Sequence, residues 1–192
     1  MAMEMGLGDL VAKPDIVFKR KYRWTLSITP YCGSTPILSY FVKLASRPNL
    51  TIEETEINYL NGKMWIPGKG TWETITVTFY DMSNGGDGIS SLYSWLATTY
   101  DFTDPVNLKQ SSKIGTRGSK GYSADAELFL YDGCGVAMEN WSLSNMFPQA
   151  VNFGELDYSS SEEVTIEVTL RYSQAKYKPL CGGTVTPCCV GC

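Results

Sequence analysis

The stretch TITVTFY, residues 74–80, decides the fold. Ile75, Val77 and Phe79 fall on one side of an extended chain, and Thr74, Thr76 and Thr78 on the other. Successive side chains of a strand point to opposite faces, so this period is that of a half-buried strand in an antiparallel sheet. The period recurs in EVTIEVTLRY, residues 163–172, which sets Val164, Ile166, Val168 and Leu170 against Thr165, Glu167 and Thr169. In VFKRKYRWTLSI, residues 17–28, it puts Phe18, Tyr22, Trp24, Leu26 and Ile28 on one face and Lys19, Lys21, Arg23 and Thr25 on the other. Weaker strand patterns lie at 39–44, 50–59, 126–131 and 138–147. Against these stands one helix candidate, DGISSLYSWLATTY at 87–100. There Asp87 can cap, and Ile89, Leu92, Tyr93, Trp95 and Leu96 form an apolar stripe at helical spacing. The chain thus reads as mainly β, an antiparallel β-sandwich or barrel with one α-helix and no internal repeat.

The polar, glycine-containing stretch 103–121 reads as a loop, of a length that in compact domains is functional or disordered. Pro179 breaks the pattern after the last strand. The organisation expected is an N-terminal arm at 1–15, one domain at 16–178 and a cysteine-rich tail at 179–192. A chain of 192 residues buries enough surface to fold without covalent staples. Its charge, 16 basic against 20 acidic residues, argues against a surface that grips phosphates. The opening residues lack the basic-then-apolar order of a secretory signal, and no apolar run approaches bilayer length. Cytoplasmic synthesis without a membrane anchor is the expectation. There is no histidine, which removes Ser-His and Cys-His nucleophile pairs, His general bases and mixed His/Cys zinc sites.

Few constellations are left to carry chemistry. GTRGSKG, at 115–121, has the look of a phosphate-binding loop but not its spacing, since Lys120 is followed by Gly121. The carboxylates of Glu53, Glu54 and Glu56, and of Glu162, Glu163 and Glu167, suit solvated strand faces. A hydrolase would need two of them facing across a cleft. An acidic channel wall that repels a polyanion is the third possibility. The sequons at Asn49 and Asn140 carry no weight without a secretory route. Six cysteines form the strongest oddity: Cys32 and Cys134 beside Gly and Pro in turns, and Cys181, Cys188, Cys189 and Cys192 in the tail. The tail has a single C-x-x-C, where a four-cysteine zinc site usually shows two. Cys188 and Cys189 are adjacent, so a bond between them would strain the backbone, and two separate partners suit them better. At about 3.3 Å per residue the tail reaches roughly 40 Å, far enough to touch another subunit.

One long stretch, RPNLTIEETEINYLNGKMWIPGKGTWETITVTFYD at 47–81, resembles the tail tube protein of contractile-tailed, T-even-type bacteriophages. The segment FPQAVNFGELDYSSSEEVTIEVTLRY, 147–172, is similar to that family's closing P-x-x-V-x-x-G-E-L block and final strand. The cysteine tail departs from the family pattern. The resemblance implies a tail-tube fold whose subunits form hexameric rings, stacked helically into a hollow tube inside a contractile sheath. Strands of six subunits would join into one lumen barrel that holds the tape-measure protein and then conducts DNA without binding it specifically. Baseplate and tail terminator proteins would meet its ends, and its place would be the virion. No enzyme activity, cofactor or metal is expected. On this reading Glu53, Glu54 and Glu56 are the first candidates for lumen-facing acids. Lys109, Lys113, Arg117 and Lys120 in the long loop, with the N-terminal arm, are candidates for ring-to-ring contact. The six cysteines become candidates for intersubunit disulfides, Cys32 and Cys134 receiving and the tail reaching, formed once the particle leaves a reducing cytoplasm.

Two other readings stay open. Tubes of secretion systems and of headless tail-like bacteriocins share the architecture expected here. A disulfide-rich extracellular carbohydrate-binding sandwich would use Trp24, Trp65, Trp72, Trp95 and Trp141 as stacking platforms, although core or interface packing explains tryptophans as well.

Overall fold

The computed structural model describes residues 19–32, 35–82, 87–101 and 121–180. Its elements run β1 (Trp24–Pro30), a 3-10 turn (Ser39–Phe41), β2 (Val42–Ala45), β3 (Leu50–Tyr59), β4 (Gly62–Trp72) and β5 (Ile75–Tyr80). The helix α1 (Asp87–Thr99) follows, then β6 (Ala124–Tyr131), β7 (Ala137–Asn152), β8 (Thr165–Arg171) and β9 (Gln174–Pro179). Among the described residues seven strands form one antiparallel sheet in the order β1-β6-β7-β8-β5-β2, with β9 also on β7. β3 and β4 pair only with each other among the described residues.

That sheet folds over itself because β7 is 16 residues long and changes partners midway. Its first half lies between β6 and β9, and residues 147–152 pair with β8. At the change Asn145 takes φ 53, a left-handed conformation that asparagine tolerates better than most residues. The ladder slips again at Pro148, which has no N–H to give it. The two resulting layers face each other across one core. Leu26, Ile28, Ala126, Leu128 and Leu143 come from one layer, and Ile75, Val77, Phe79, Ile166, Val168 and Leu170 from the other. Leu92, Trp95 and Leu96 of α1 join the same cluster. The fully buried Trp95 ring keeps its polar edge satisfied, Nε1 donating to the carbonyl of Tyr122 at 2.7 Å.

The alternating segments behave as their period requires, with corrections at their ends. β1 begins at Trp24; Tyr22 sits in a turn closed by Arg23 N donating to the Arg20 carbonyl, and it is exposed rather than aligned with Trp24. The 39–44 segment is a strand only from Val42, after the 3-10 turn. β7 runs past its expected end at 147. β4 and β9 carry no strand signal in the sequence. No helix of the described residues is long and apolar enough to cross a membrane. The arm at 1–15, the 103–120 loop and the tail cysteines lie outside the described residues.

Phe79→Ala, at a fully buried position of β5, should lower unfolding free energy by about 3–5 kcal/mol, while Thr78→Ala on the opposite face should stay within about 0.5 kcal/mol. Urea denaturation of the two variants checks this, and equal costs would contradict the assignment of faces.

A candidate assembly surface

The β3–β4 hairpin leaves the body as an arm. β3 has ten residues, a reach of roughly 33 Å, and its ladder to β4 runs from Leu50↔Trp72 to Tyr59↔Gly62 with one bulge near Ile52. Nearly every residue of both strands is exposed. Its root is held by aromatic packing: Trp72 meets Trp141 edge-on at 6.5 Å and Tyr172 at 6.1 Å. Cross-strand register then divides the outer arm into two faces. Ile57 lies opposite Met64 and Thr55 opposite Ile66, so one face is apolar; Glu56 lies opposite Trp65 and Asn58 opposite Lys63 on the other. Ile57, Tyr59, Met64 and Ile66 are 43%, 78%, 64% and 42% exposed, a continuous apolar ribbon in water. At the tip Leu60 is 90% exposed with φ 52, where an L-residue with a Cβ is strained. A two-stranded ribbon is marginal alone, and an apolar face of this kind marks a contact surface.

The body offers open strand edges. In the layer that holds β5 and β8, the outer strands among the described residues are β2 and the second half of β7. The face of this layer turned from the core pairs Thr76 with Thr169, Thr78 with Glu167 and Tyr80 with Thr165. It is a hydroxyl surface with little charge.

Among the described residues Glu139 is the one buried acidic side chain, 1% exposed at the inner face of β7. Arg47 donates Nη2 to Oε1 at 2.8 Å, and Lys19 donates to Oε2. The pair ties the start of the described chain and the segment entering the arm to the central strand. Both cations are about half exposed, 42% for Lys19 and 54% for Arg47.

The acids expected to face a lumen, Glu53, Glu54 and Glu56, are on the arm, with Glu56 ion-paired to Lys63 at 2.7 Å. Cys134 is exposed in the β6–β7 turn, where its N–H donates to Asp132 Oδ1 at 2.8 Å. Cys32 is in a turn as expected but half-buried against the core, because the turn lies over the sandwich rather than away from it. Cys181, Cys188, Cys189 and Cys192, and Lys109, Lys113, Arg117 and Lys120, lie outside the described residues. The tryptophans do not gather into one stacking platform: Trp95 is core, Trp24, Trp72 and Trp141 pack against it, and Trp65 stands apart on the outer arm. Among the described residues no cluster of His, Cys, Asp or Glu could hold a metal. The apolar arm is the feature that sequence reading missed, since the glycines and proline of GKMWIPGKGTW mask its strand.

Removing both cations, Lys19→Met with Arg47→Met, strands the Glu139 carboxylate in the interior and should cost about 3–5 kcal/mol. Glu139→Gln should cost less, because the half-exposed cations return to water. Thermal unfolding decides, and a larger loss for Glu139→Gln would contradict it.

No protein-family model matches the chain, and no curated protein does. Solved structures do. A chain of the anti-feeding prophage baseplate, six-fold symmetrised, aligns with TM-score 0.66 at 12% identity, covering 85% of this chain and 97% of that one. A chain of the sheath–tube complex of an extracellular contractile injection system, PVC, in its extended state aligns with TM-score 0.61 at 16% identity, covering 91% and 99%. A chain of the anti-feeding prophage tube-terminating cap aligns with TM-score 0.61 at 16% identity, covering 88% and 98%. At these identities the likeness is one of fold: an antiparallel, mainly β fold with one helix among the described residues, shared over 85–91% of this chain with chains of contractile injection systems.

Proposed function

We propose that the chain is a structural, non-enzymatic subunit of the inner tube of a contractile injection machine, assembling as hexameric rings that stack into a hollow cylinder. The observation that carries this is the arm. An apolar ribbon of Ile57, Tyr59, Met64 and Ile66, projecting from a body already complete in its core, needs a neighbour to cover it. The open edges of β2 and β7 let adjacent subunits continue one sheet around a ring, which removes the hazard of unpaired edges. The fold shared with chains of a sheath–tube complex and a six-fold baseplate supports the same reading.

Within that reading the machine is a phage tail of the T-even type, located in the virion and made in the host cytoplasm. Its tube meets the sheath outside, the baseplate and terminator at its ends, and the tape-measure protein and then DNA inside. We assign the lumen wall to the threonine face of β5 and β8, whose sparse charge gives a polyanion nothing to hold. Glu53, Glu54 and Glu56 then act on the arm, near the rim rather than along the wall. The basic loop with Lys109, Lys113, Arg117 and Lys120 serves as a second ring-to-ring contact. The cysteines cross-link subunits after release, with Cys134 the most accessible receiver.

Electron microscopy of the purified chain tests the reading: hollow tubes or rings are expected, and a monomer at every concentration, with and without a baseplate seed, contradicts it. Leu60→Asn with Tyr59→Ser should leave the thermal midpoint unchanged or raised yet reduce polymer at least tenfold by sedimentation. On non-reducing gels of assembled particles, oligomer ladders that collapse with reductant are expected, and monomer alone would remove the disulfides from the proposal.

A further inference from the structure

Between the outer strands of the two layers lies a cleft of about 630 Å³. Its floor is apolar, with Val42, Leu128 and Leu130. Its rim carries Arg20 and Lys21 beside Lys19 and Arg47, engaged with Glu139, and Lys43, which lies over the Tyr80 ring 4.0 Å from Glu163 of its own chain. A chain of net charge −4 has gathered five of its 16 cations around one opening. The opposite character is found in the loop between β7 and β8. Residues 153–163 carry Glu155, Asp157, Glu162 and Glu163 and no cation. Interleaved with them are Leu156 and Tyr158, 85% and 112% exposed, the latter as open as a side chain can be. Asp157 is kept below the usual carboxylate range by the hydrogen bonds it accepts from Ser159, so this end of the loop stays charged.

We propose that the cleft is the acceptor for the 155–158 loop of a second copy of this chain, Leu156 and Tyr158 entering over Leu128 and Leu130 while Glu155 and Asp157 meet the cationic rim. The inference rests on the proposed tube and names one of its joints. Charge and apolar pattern both favour this occupant: acids and apolar residues alternate in the loop, and the cleft offers a cationic rim to the first and an apolar floor to the second. Donor and acceptor are different patches, so the contact is heterologous and propagates from copy to copy, as a ring or stack requires. Buried against an apolar floor, the rim pairs would fix register as much as affinity.

The test is zero-length carbodiimide cross-linking of a one-to-one mixture of light and ¹⁵N-labelled chain, read by mass spectrometry beside electron microscopy of the same sample. A mixed-isotope cross-link joining Glu155 or Asp157 to Lys21 or Lys43 is expected. Glu155→Lys alone and Arg20→Glu/Lys21→Glu alone should each reduce association at least tenfold, and the three together in one chain should restore it to within about threefold. These positions are exposed, and circular dichroism confirms that the variants fold. Tubes without that cross-link overturn the inference and leave the tube standing; the cross-link without tubes, in samples with and without a baseplate seed, leaves the joint standing and removes the tube. Cross-links from Lys21 to Glu4, Asp9 or Asp15 of the same chain, or variants that associate like the parent, also overturn it.

Discussion

Everything in the body depends on one strand crossing from layer to layer. β7 gives its first half to β6 and β9 and its second to β8, so the two layers cannot slide without breaking its ladders. The break between its halves is small: Asn145 in a left-handed turn of the backbone and Pro148 where a donor is not required. β8 and β9 follow the same corner through Ser173, whose N–H donates to the Ser144 carbonyl at 3.1 Å. Two long antiparallel runs thus turn together, and the core between the layers closes over their inner faces. Because Glu139 is on this strand, its pairs with Arg47 and Lys19 transfer that rigidity to the root of the arm.

A rigid body with an unsupported arm is a division of labour. Core residues such as Val77, Phe79, Val168 and Leu170 are fully buried within one chain, so folding does not wait on a partner. The arm is the reverse, its apolar side chains mostly in water. Folding and assembly can then be separated in energy: core substitutions act on the first, arm substitutions on the second. The strain at Leu60 fits the same division, since an exposed leucine in a glycine-like conformation contributes nothing to the monomer.

The sandwich was legible in the sequence because its strands are half-buried. Thr-Ile-Thr-Val-Thr-Phe has two faces with different solvents, and each residue reports which one it sees. The helix was legible for the same reason, with Leu92, Trp95 and Leu96 turned to the core. The arm was not, because both of its faces meet water in the single chain and no alternation marks β4. Its partner β3 reads as a strand, with its carboxylates on a solvated face or a channel wall, and Glu53, Glu54 and Glu56 stand on the arm. Cys32 likewise reads as exposed from its Gly and Pro neighbours, whereas the turn that holds it lies against the core. Contacts between chains leave no period in either one.

Charge placement joins these points. In the proposed tube the subunit would face two opposed demands: adhere to its own copies and not to a polyanion inside. A uniformly acidic surface would meet the second and defeat the first, because like-charged copies repel. Sorting resolves the conflict. The threonine face of β5 and β8 presents one Glu167 and one Arg171 on its outer side, close to neutral. The cations collect at the cleft and most of the acids of the β7–β8 loop stand apart from them, with Glu163 reaching Lys43 at 4.0 Å within the chain; in the proposed joint Glu155 and Asp157 meet the rim between copies. In that joint attraction would be short-ranged and directional, falling off within the roughly 8 Å over which salt screens charge, while the threonine face proposed as the wall would stay indifferent to cargo.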